Sequence, residues 1–253
     1  MSAEACARGV VALATVCDVV PLTGLNRAFV CQGLKIAAAG GLPGLSALAQ
    51  AAGVARVTDA RHLGFALGPR INAGGRIGKS DLGARLLTTD LGDEAARLAG
   101  ELHALNAERQ AIERGTLEAA QRVVEAQVTA GLPVLVASGI GWHPGVVGII
   151  ASRLAERHHR PVIVLGVNEG VAKGSARSVR GFDIGAAVIA ARQEGLLQQG
   201  GGHGMAAGMT LAATDLERFQ RFLLDRFAAE TGGGVPPLEP LELDGALSVG
   251  AAP

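Results

Sequence analysis

Apolar and polar positions follow one pattern in the first half of this chain and another in the second. Residues 9–22, GVVALATVCDVVPL, are almost wholly apolar apart from Thr15 and Asp18. They predict a buried helix or strand that Pro21 ends. From Asn26 to Ala39 the apolar residues Phe29, Val30, Leu34 and Ile36 sit at helical spacing, and Gly40-Gly41 stops the pattern. A short helix follows around Leu45–Ala52. Residues 90–128 give the clearest reading. Asp90 or a nearby Thr can cap the start, and Asp93 and Glu94 suit the positive end of the helix dipole. Leu98, Leu102, Leu105, Ile112, Ala119, Val123 and Ala126 then fall on one seam of about 3.5-residue spacing, which Arg109 and Thr116 interrupt. One helix of this length would span roughly 55 Å at 1.5 Å per residue, enough to bridge two domains. Gly100 and Gly115 each weaken it by about 1 kcal/mol relative to Ala, so two helices broken near Gly115 are the alternative.

From residue 133 the pattern becomes α/β. Pro133–Ala137 and Pro161–Leu165 are apolar runs of strand length, Val171–Arg180 predicts a third strand and Met209–Leu211 a fourth. Val146–Glu156, Phe182–Glu194 and Thr214–Glu230 predict helices, the last capped by Thr214. Residues 139–145, GIGWHPG, read as a loop. Residues 231–240, TGGGVPPLEP, read as a linker. No internal repeat is present.

Composition narrows the function classes. At 253 residues and 49% hydrophobic content the chain can build one large or two ordinary cores. The formal net charge is zero, which argues against a strongly basic nucleic-acid binder. The charge is uneven, however. Within 61–89 the bases Arg61, Arg70, Arg76, Lys79 and Arg85 face only Asp81, so a local basic patch can exist. Aromatics make up 3% and Tyr is absent, leaving few platforms for base stacking. Cys6, Cys17 and Cys31 share no metal-ligand spacing and read as reduced, buried thiols of a cytoplasmic protein. No apolar run reaches membrane-spanning length.

The candidate chemistry sits mainly in 173–208, where two glycine-bearing clusters bracket a helical segment. Gly174-Ser175-Ala176-Arg177-Ser178 offers two hydroxyls and a guanidinium. Side chains alternate along a strand, so Ser175 and Arg177 would share a face, and such groups suit a phosphate. A solvated edge strand is the rival reading. Gly200–Gly204 reads as a turn in which Gly201, Gly202 and His203 could approach a ligand; a plain helix-to-strand turn is the rival. Trp142 and His143 precede a helix whose N-terminus offers free N–H groups, and Trp142 either stacks on a base or seals the domain. Gly68-Pro69 and Gly74-Gly75 are turn signals flanked by Arg70 and Arg76 with Asn72 between them, an anion-binding loop or a merely solvated one. Asp18, in its apolar setting, is a metal-ligand candidate because a buried carboxylate needs a partner. His158-His159 reads as an exposed helix end.

These motifs together resemble the RecJ family of single-stranded-DNA exonucleases, within the DHH phosphoesterase superfamily. The resemblance rests on TVCDVVPLTGLNRAFV at 15–30, LGPRINAGGRIGKSDLGARLL at 67–87, GWHPGVVGIIASRL at 141–154, KGSARS at 173–178, GFDIGAAV at 181–188 and GGGHGMAAG at 200–208. They stand in the family's order. The resemblance implies an α/β fold: a helical remnant of a DHH domain (1–89), a long connecting helix (90–128), and a DHHA1 domain with a mixed sheet flanked by helices (129–232). A linker and the start of an OB-fold, near Leu241, would fill 233–253. It implies 5′-to-3′ hydrolysis of single-stranded DNA in repair and recombination, with Mn2+ or Mg2+. Beside the clamp read from Ser175, Arg177 and Ser178, the resemblance implies by position that Ser175 and Arg177 with Arg70 or Arg76 would hold the 5′ phosphate, with Gly201–His203 lining the same cleft.

The family's DYDADG- and DHH-type metal motifs are absent. Asp18 alone matches a metal ligand, the aspartate of a GTVADVVPL-like motif. The chain therefore reads as a C-terminal fragment missing its N-terminal DHH domain and inactive alone. The rivals are a DHH phosphodiesterase acting on short RNA or cyclic dinucleotides, and a non-catalytic nucleic-acid-binding module.

Overall fold

The computed structural model of the chain describes residues 3–234, Leu243 and Gly245. The expected OB-fold start lies outside the described residues, as does the side chain of Cys6. The chain forms two compact units. One takes in the described residues up to Thr116 together with His143–Val146; the other takes in Leu117–Trp142 and the described residues from Val147 onward.

The first unit is helical: α1 (Ala3–Cys17), α2 (Gly24–Ala38), α3 (Pro43–Ala51), a π-helical segment (His62–Leu67) running directly into α4 (Gly68–Ile77), α5 (Leu82–Thr88) and the first part of α6 (Gly92–Thr129). Its core is leucine-rich. Leu45, Leu48, Leu63, Leu67, Leu82, Leu86, Leu98 and Leu102 are fully buried, each contributing about 1.5–3 kcal/mol of transfer free energy.

Three expectations fail here. The 9–22 stretch is not buried throughout. Ala12 and Leu13 face the core, but α1 ends at Cys17, Val19 turns the chain with φ of 54°, and Val19, Val20 and Leu22 face outward. Asp18 goes with them and is exposed, so the argument from a buried carboxylate does not hold. Cys31 is exposed on the outer side of α2, whose buried residues are Val30 and Gly33, while Cys17 is half-buried. Third, the glycine pairs of 68–75 make no turn. Pro69 fits the first helical turn, where no N–H is needed. Gly68 serves packing instead: a Cβ there would lie 2.5 Å from Cys17 Sγ.

α6 is one unbroken helix of 38 residues through Gly100 and Gly115. Thr89 braces the approach to its start: its hydroxyl accepts from the Leu91 N–H at 3.3 Å and donates to Glu94 Oε2, in the first helical turn, at 2.8 Å. That bond, then Arg85, holds the Glu94 carboxyl below its usual range. The buried stripe starts on the expected seam at Leu98 and Leu102 but leaves it. It continues through Asn106, Glu113, Thr116, Ala120 and Val124, while Val123 and Ala126 are exposed. A straight helix drifts about 20° per heptad from a 3.5-residue repeat, and three heptads carry the buried face over.

The second unit is a five-stranded sheet of order β1-β2-β3-β5-β4 with helices α7 (Pro144–His158), α8 (Ile184–Gln193) and α9 (Leu216–Thr231). Its strands are β1 (Leu135–Ile140), β2 (Val162–Asn168), β3 (Val171–Arg177), β4 (Gln199–His203) and β5 (Ala206–Ala212). β1 and β2 are parallel and joined by α7, as a parallel crossover requires; the other pairs are antiparallel. One sheet face carries the core, where Ile163, Leu165, Ala172 and Ala176 meet Phe182, Val188, Phe219 and Phe227. The exposed edge of β1 is covered by an amide: Gln127 accepts from the Val136 N–H at 2.9 Å and donates to its carbonyl at 2.6 Å.

The sequence reading missed β4. A run of glycines carries no side-chain alternation, and Gly200–Gly204 read as a turn; the turn proper is only Gly204-Met205. Nor does Thr214 cap the last helix. A 3-10 turn, Ala213–Asp215, leads into α9. No single helix among the described residues is long and apolar enough to cross a membrane.

Candidate functional site

The register of the second unit's sheet builds the site. Along β3 burial alternates, with Ala172, Gly174 and Ala176 toward the core and Lys173, Ser175 and Arg177 on the opposite face. Directly paired residues share a face. Ser175 pairs with Gly208 on β5, which pairs with Gly201 on β4; Arg177 pairs with Ala206, which pairs with His203. Residues far apart in sequence thus form two adjacent rows, about 10 Å across from β3 to β4. A Cβ at Gly201 would meet nothing within 4 Å, and one at Gly208 only Gly174 O at 3.9 Å. Packing does not require glycine at either position. Their bare backbone leaves an open floor beside a hydroxyl and a guanidinium, the space an anion needs.

The walls of this floor are braced. A Cβ at Gly148 of α7 would lie 3.3 Å from Ser175 Oγ and 3.6 Å from Arg177 Nη2, so α7 passes close behind both side chains. Arg177 Nη1 donates to Ala176 O at 2.8 Å, which fixes the plane of its fork. The start of α8 presses on the His203 backbone through Gly185, whose added Cβ would fall 2.8 Å from it. Asp183 caps α8 by accepting from the Ala186 N–H at 2.9 Å. The Met205 N–H donates to His203 Nδ1 at 3.4 Å, leaving Nε2 of this exposed imidazole to face solvent. Ser178 is buried and its hydroxyl donates to Phe182 O at 2.7 Å, so it shapes the loop after β3. Gly202 packs against Ala206 and Ala207. Next to Arg177 opens a cavity of about 480 Å³ that Ser152, Glu156, His159, Arg180 and Met205 help to line.

Trp142 is half-buried. A Cβ at Gly139 would overlap its indole and one at Gly166 its carbonyl, so the residue is seated on the glycine ends of β1 and β2. His143 Nδ1 accepts from the Gly145 N–H at 3.0 Å in the first turn of α7.

In the first unit, Arg70, Asn72 and Arg76 all lie on α4 and not on a loop. Arg70 is turned inward: Nη1 donates to Ala66 O at 2.6 Å and Nε to His103 Nδ1 at 3.2 Å, and burial lowers its pKa. Arg76 is exposed and donates from Nη1 to Gly145 O at 3.1 Å. The geometry therefore separates two arginines that the sequence left equivalent. Asp18 borders a cavity of about 190 Å³ with Val10, Cys17, Asn72 and Leu87. Among the described residues no three His, Cys, Asp or Glu side chains come together to hold a metal ion. Sequence reasoning missed Lys173 and Gly208 beside the floor. The alternation already invoked for Ser175 includes Lys173; Gly208 follows only from pairing.

The chain as a whole is similar to known proteins. Residues 131–229 match the DHHA1 domain model. The single-stranded-DNA-specific exonuclease RecJ of Bacillus subtilis is 42% identical over 209 residues, which is 81% of this chain and 26% of that protein. Crystal structures of RecJ from Thermus thermophilus in complex with Mg2+ and with Mn2+ both superpose with a TM-score of 0.79 at 35% identity. They cover 90% and 93% of this chain, and 35% and 34% of theirs. The chain thus spans about a quarter to a third of the length of these relatives.

Proposed function

The chain belongs to the RecJ family, and on that premise we propose that it holds the 5′ end of a single DNA strand for a 5′-to-3′ exonuclease. The observation that carries this reading is the open floor of Gly201 and Gly208, set in register beside Ser175 and Arg177 with His203 at its far side. A terminal phosphate on that floor accepts from the Ser175 hydroxyl and the Arg177 fork, and His203 borders it. Arg76, exposed on α4, is the arginine suited to a second phosphate; Arg70 supports α4 from inside.

The solved relatives carry Mg2+ or Mn2+, and a divalent ion in such a centre polarises the scissile phosphate and activates water. Among the described residues no three His, Cys, Asp or Glu side chains come together as such a centre requires. Asp18, one exposed carboxylate, would supply a single ligand to it. The role of this chain's own residues is therefore positioning: Ser175 and Arg177 fix the strand end, and the glycine floor sets how closely it approaches.

Arg177→Ala tests the reading. Hydrogen bonds to a charged group are worth about 1.5–3 kcal/mol, so affinity for a 5′-phosphorylated oligonucleotide should fall about tenfold to a hundredfold. A 5′-hydroxyl strand should lose much less. Fluorescence anisotropy on the purified chain measures both. Equal affinity of wild type and variant for the phosphorylated strand would remove Arg177 from the site. Cleavage by this chain in Mn2+ would overturn the assignment of a purely positioning role.

A further inference from the structure

Packing fixes several glycines of the second unit, but not Gly148. A Cβ at Gly139 would overlap the Trp142 indole, one at Gly174 would overlap Val164 O, and one at Gly185 would press on the His203 backbone. At Gly148, in the second turn of α7, the three atoms nearest an added Cβ are Ser175 Oγ at 3.3 Å and Arg177 Nη2 and Ser175 Cβ, both at 3.6 Å. All three are side-chain atoms, and all belong to the two residues beside the glycine floor. Glycine is a poor helix former, and Gly148 has no positive φ that would call for it. The helix is anchored by the buried Val147, Ile150, Ala151 and Leu154. Neither the backbone of α7 nor its burial therefore requires glycine at 148. What the missing side chain does is make room for Ser175 and Arg177.

We propose that Gly148 is a positioning residue of the phosphate site: its bare backbone lets the Ser175 hydroxyl and the Arg177 fork take the orientation in which they serve the floor. The proposal rests on the strand-holding reading above and deepens it, by naming what sets the geometry of the two groups. Gly148 touches no ligand in this account and acts through its two neighbours. Arg177 Nη1 is given to Ala176 O at 2.8 Å, so the fork cannot swing away from a group that crowds Nη2 without losing that bond. Ser175 carries one short arm with staggered positions. A Cβ 3.3 Å from its Oγ is tighter than ordinary contact and turns the hydroxyl out of its present position. One turn further along the same side of α7, Ser152 donates its hydroxyl back to Gly148 O at 3.2 Å. Beyond it Ala155, Glu156 and His159 border the cavity beside Arg177. Gly148 is thus the point on this side of α7 where the helix backbone itself meets both groups. A glycine kept for the fold alone would face core side chains or backbone, as Gly139 and Gly174 do.

The test compares two single strands that differ only in a 5′-phosphate or a 5′-hydroxyl, bound to the full chain and read by fluorescence anisotropy. Gly148→Ala should melt no lower than wild type, alanine being the better helix former. It should nevertheless reduce the preference for the phosphorylated strand by about twofold to tenfold, the scale of one perturbed hydrogen bond. Gly148→Leu crowds both side chains and should reduce that preference by about tenfold to a hundredfold, as Arg177→Ala does. A fraction of unfolded chain scales both affinities alike, so their ratio reads the site even if a variant folds poorly. In a Ser175→Ala chain the crowded oxygen is gone, so adding Gly148→Ala should cost little further preference. Fully additive losses would mean that Gly148 does not act through Ser175, and the proposal would be wrong. Equal weakening of both strands by Gly148→Leu would mean that it acts through the fold, which also overturns it. If Arg177→Ala removes the preference while Gly148→Leu keeps it, the positioning role is wrong and the phosphate floor stands. If wild type shows no preference for the phosphorylated strand, positioning role and floor fall together.

Discussion

The two units place their candidate groups by opposite means. In the first, Asn72 and Arg76 are near in sequence and come onto one side because a helix turns every three to four residues. In the second, Ser175, Gly208 and Gly201 are far apart and come into line because three strands pair in one register. A helical stripe tolerates small rotations, since each side chain reaches its own part of a long ligand. A floor made from paired strands does not: a one-residue slip would turn Ser175 and Arg177 toward the core. The helical surface therefore suits contacts spread along a polymer, and the sheet suits one fixed group at its end. The units also differ in how they treat buried polarity. The first buries Asn106 and Glu113 together with Arg109, whereas in the second the buried polar residue is the uncharged Ser178.

The largest effect should come from breaking that buried polarity. Arg109 Nη1 donates to Glu113 Oε2 at 2.5 Å, and the two side chains are 11% and 4% exposed. Arg109 Nη2 also donates to Asn106 Oδ1 at 3.1 Å. Removing one member of a buried pair leaves the other charge without its counterpart, at a cost of about 3–5 kcal/mol. Glu113→Ala should lower stability by that amount in denaturant titration, with hydrogen exchange accelerating first in the first unit. Uniform acceleration of both units would show that they do not open separately.

A smaller effect distinguishes two glycines of the same sheet. A Cβ at Gly174 would overlap Val164 O and lie 2.9 Å from Leu165 Cα, backbone atoms of the paired strand. Gly174→Ala should cost about 1–3 kcal/mol through overpacking. Gly208 has open space above it, so Gly208→Val should melt no lower than wild type. It should nevertheless weaken binding of the phosphorylated strand by about tenfold, the scale of one charge-assisted bond. A Gly208→Val chain that binds normally would mean that the floor is not used.

This pair also shows how far the sequence could be read. That Ser175 and Arg177 share a face follows from strand alternation, a local property, and the structure agrees. That Gly174 is locked while Gly208 is free depends on strands paired across dozens of residues, and no local pattern encodes it. β4 escaped for the same reason, since GGGH has no side chains to alternate. The long helix was legible from its leucines, but its buried polar stripe was not, because a strict 3.5-residue seam drifts away from the true face. Asp18 looked buried because its neighbours are apolar, yet exposure is decided by where α1 ends and what lies opposite. The turn signals at 68–75 misled because proline and glycine there serve helix start and close packing.

The smallest effect expected is a pH dependence of the second unit. His158 closes α7, and its Nε2 is buried without a hydrogen-bond partner among the described residues. Burial first, then Arg157 and Arg160, push its imidazole below the ordinary value of 6.5; Glu125 opposes them and His159 adds to them. Above that value both folded and unfolded chains hold the ring neutral, and the site contributes no pH dependence. As pH falls through 6.5 the unfolded chain takes up the proton first, so stability falls with it. The loss is complete once pH passes the lower folded value. His158→Gln removes the titration, so its melting temperature should decline less than that of wild type between about pH 7.5 and about pH 5.5. Parallel curves would mean that the buried imidazole takes its proton as readily in the folded chain as in the unfolded one.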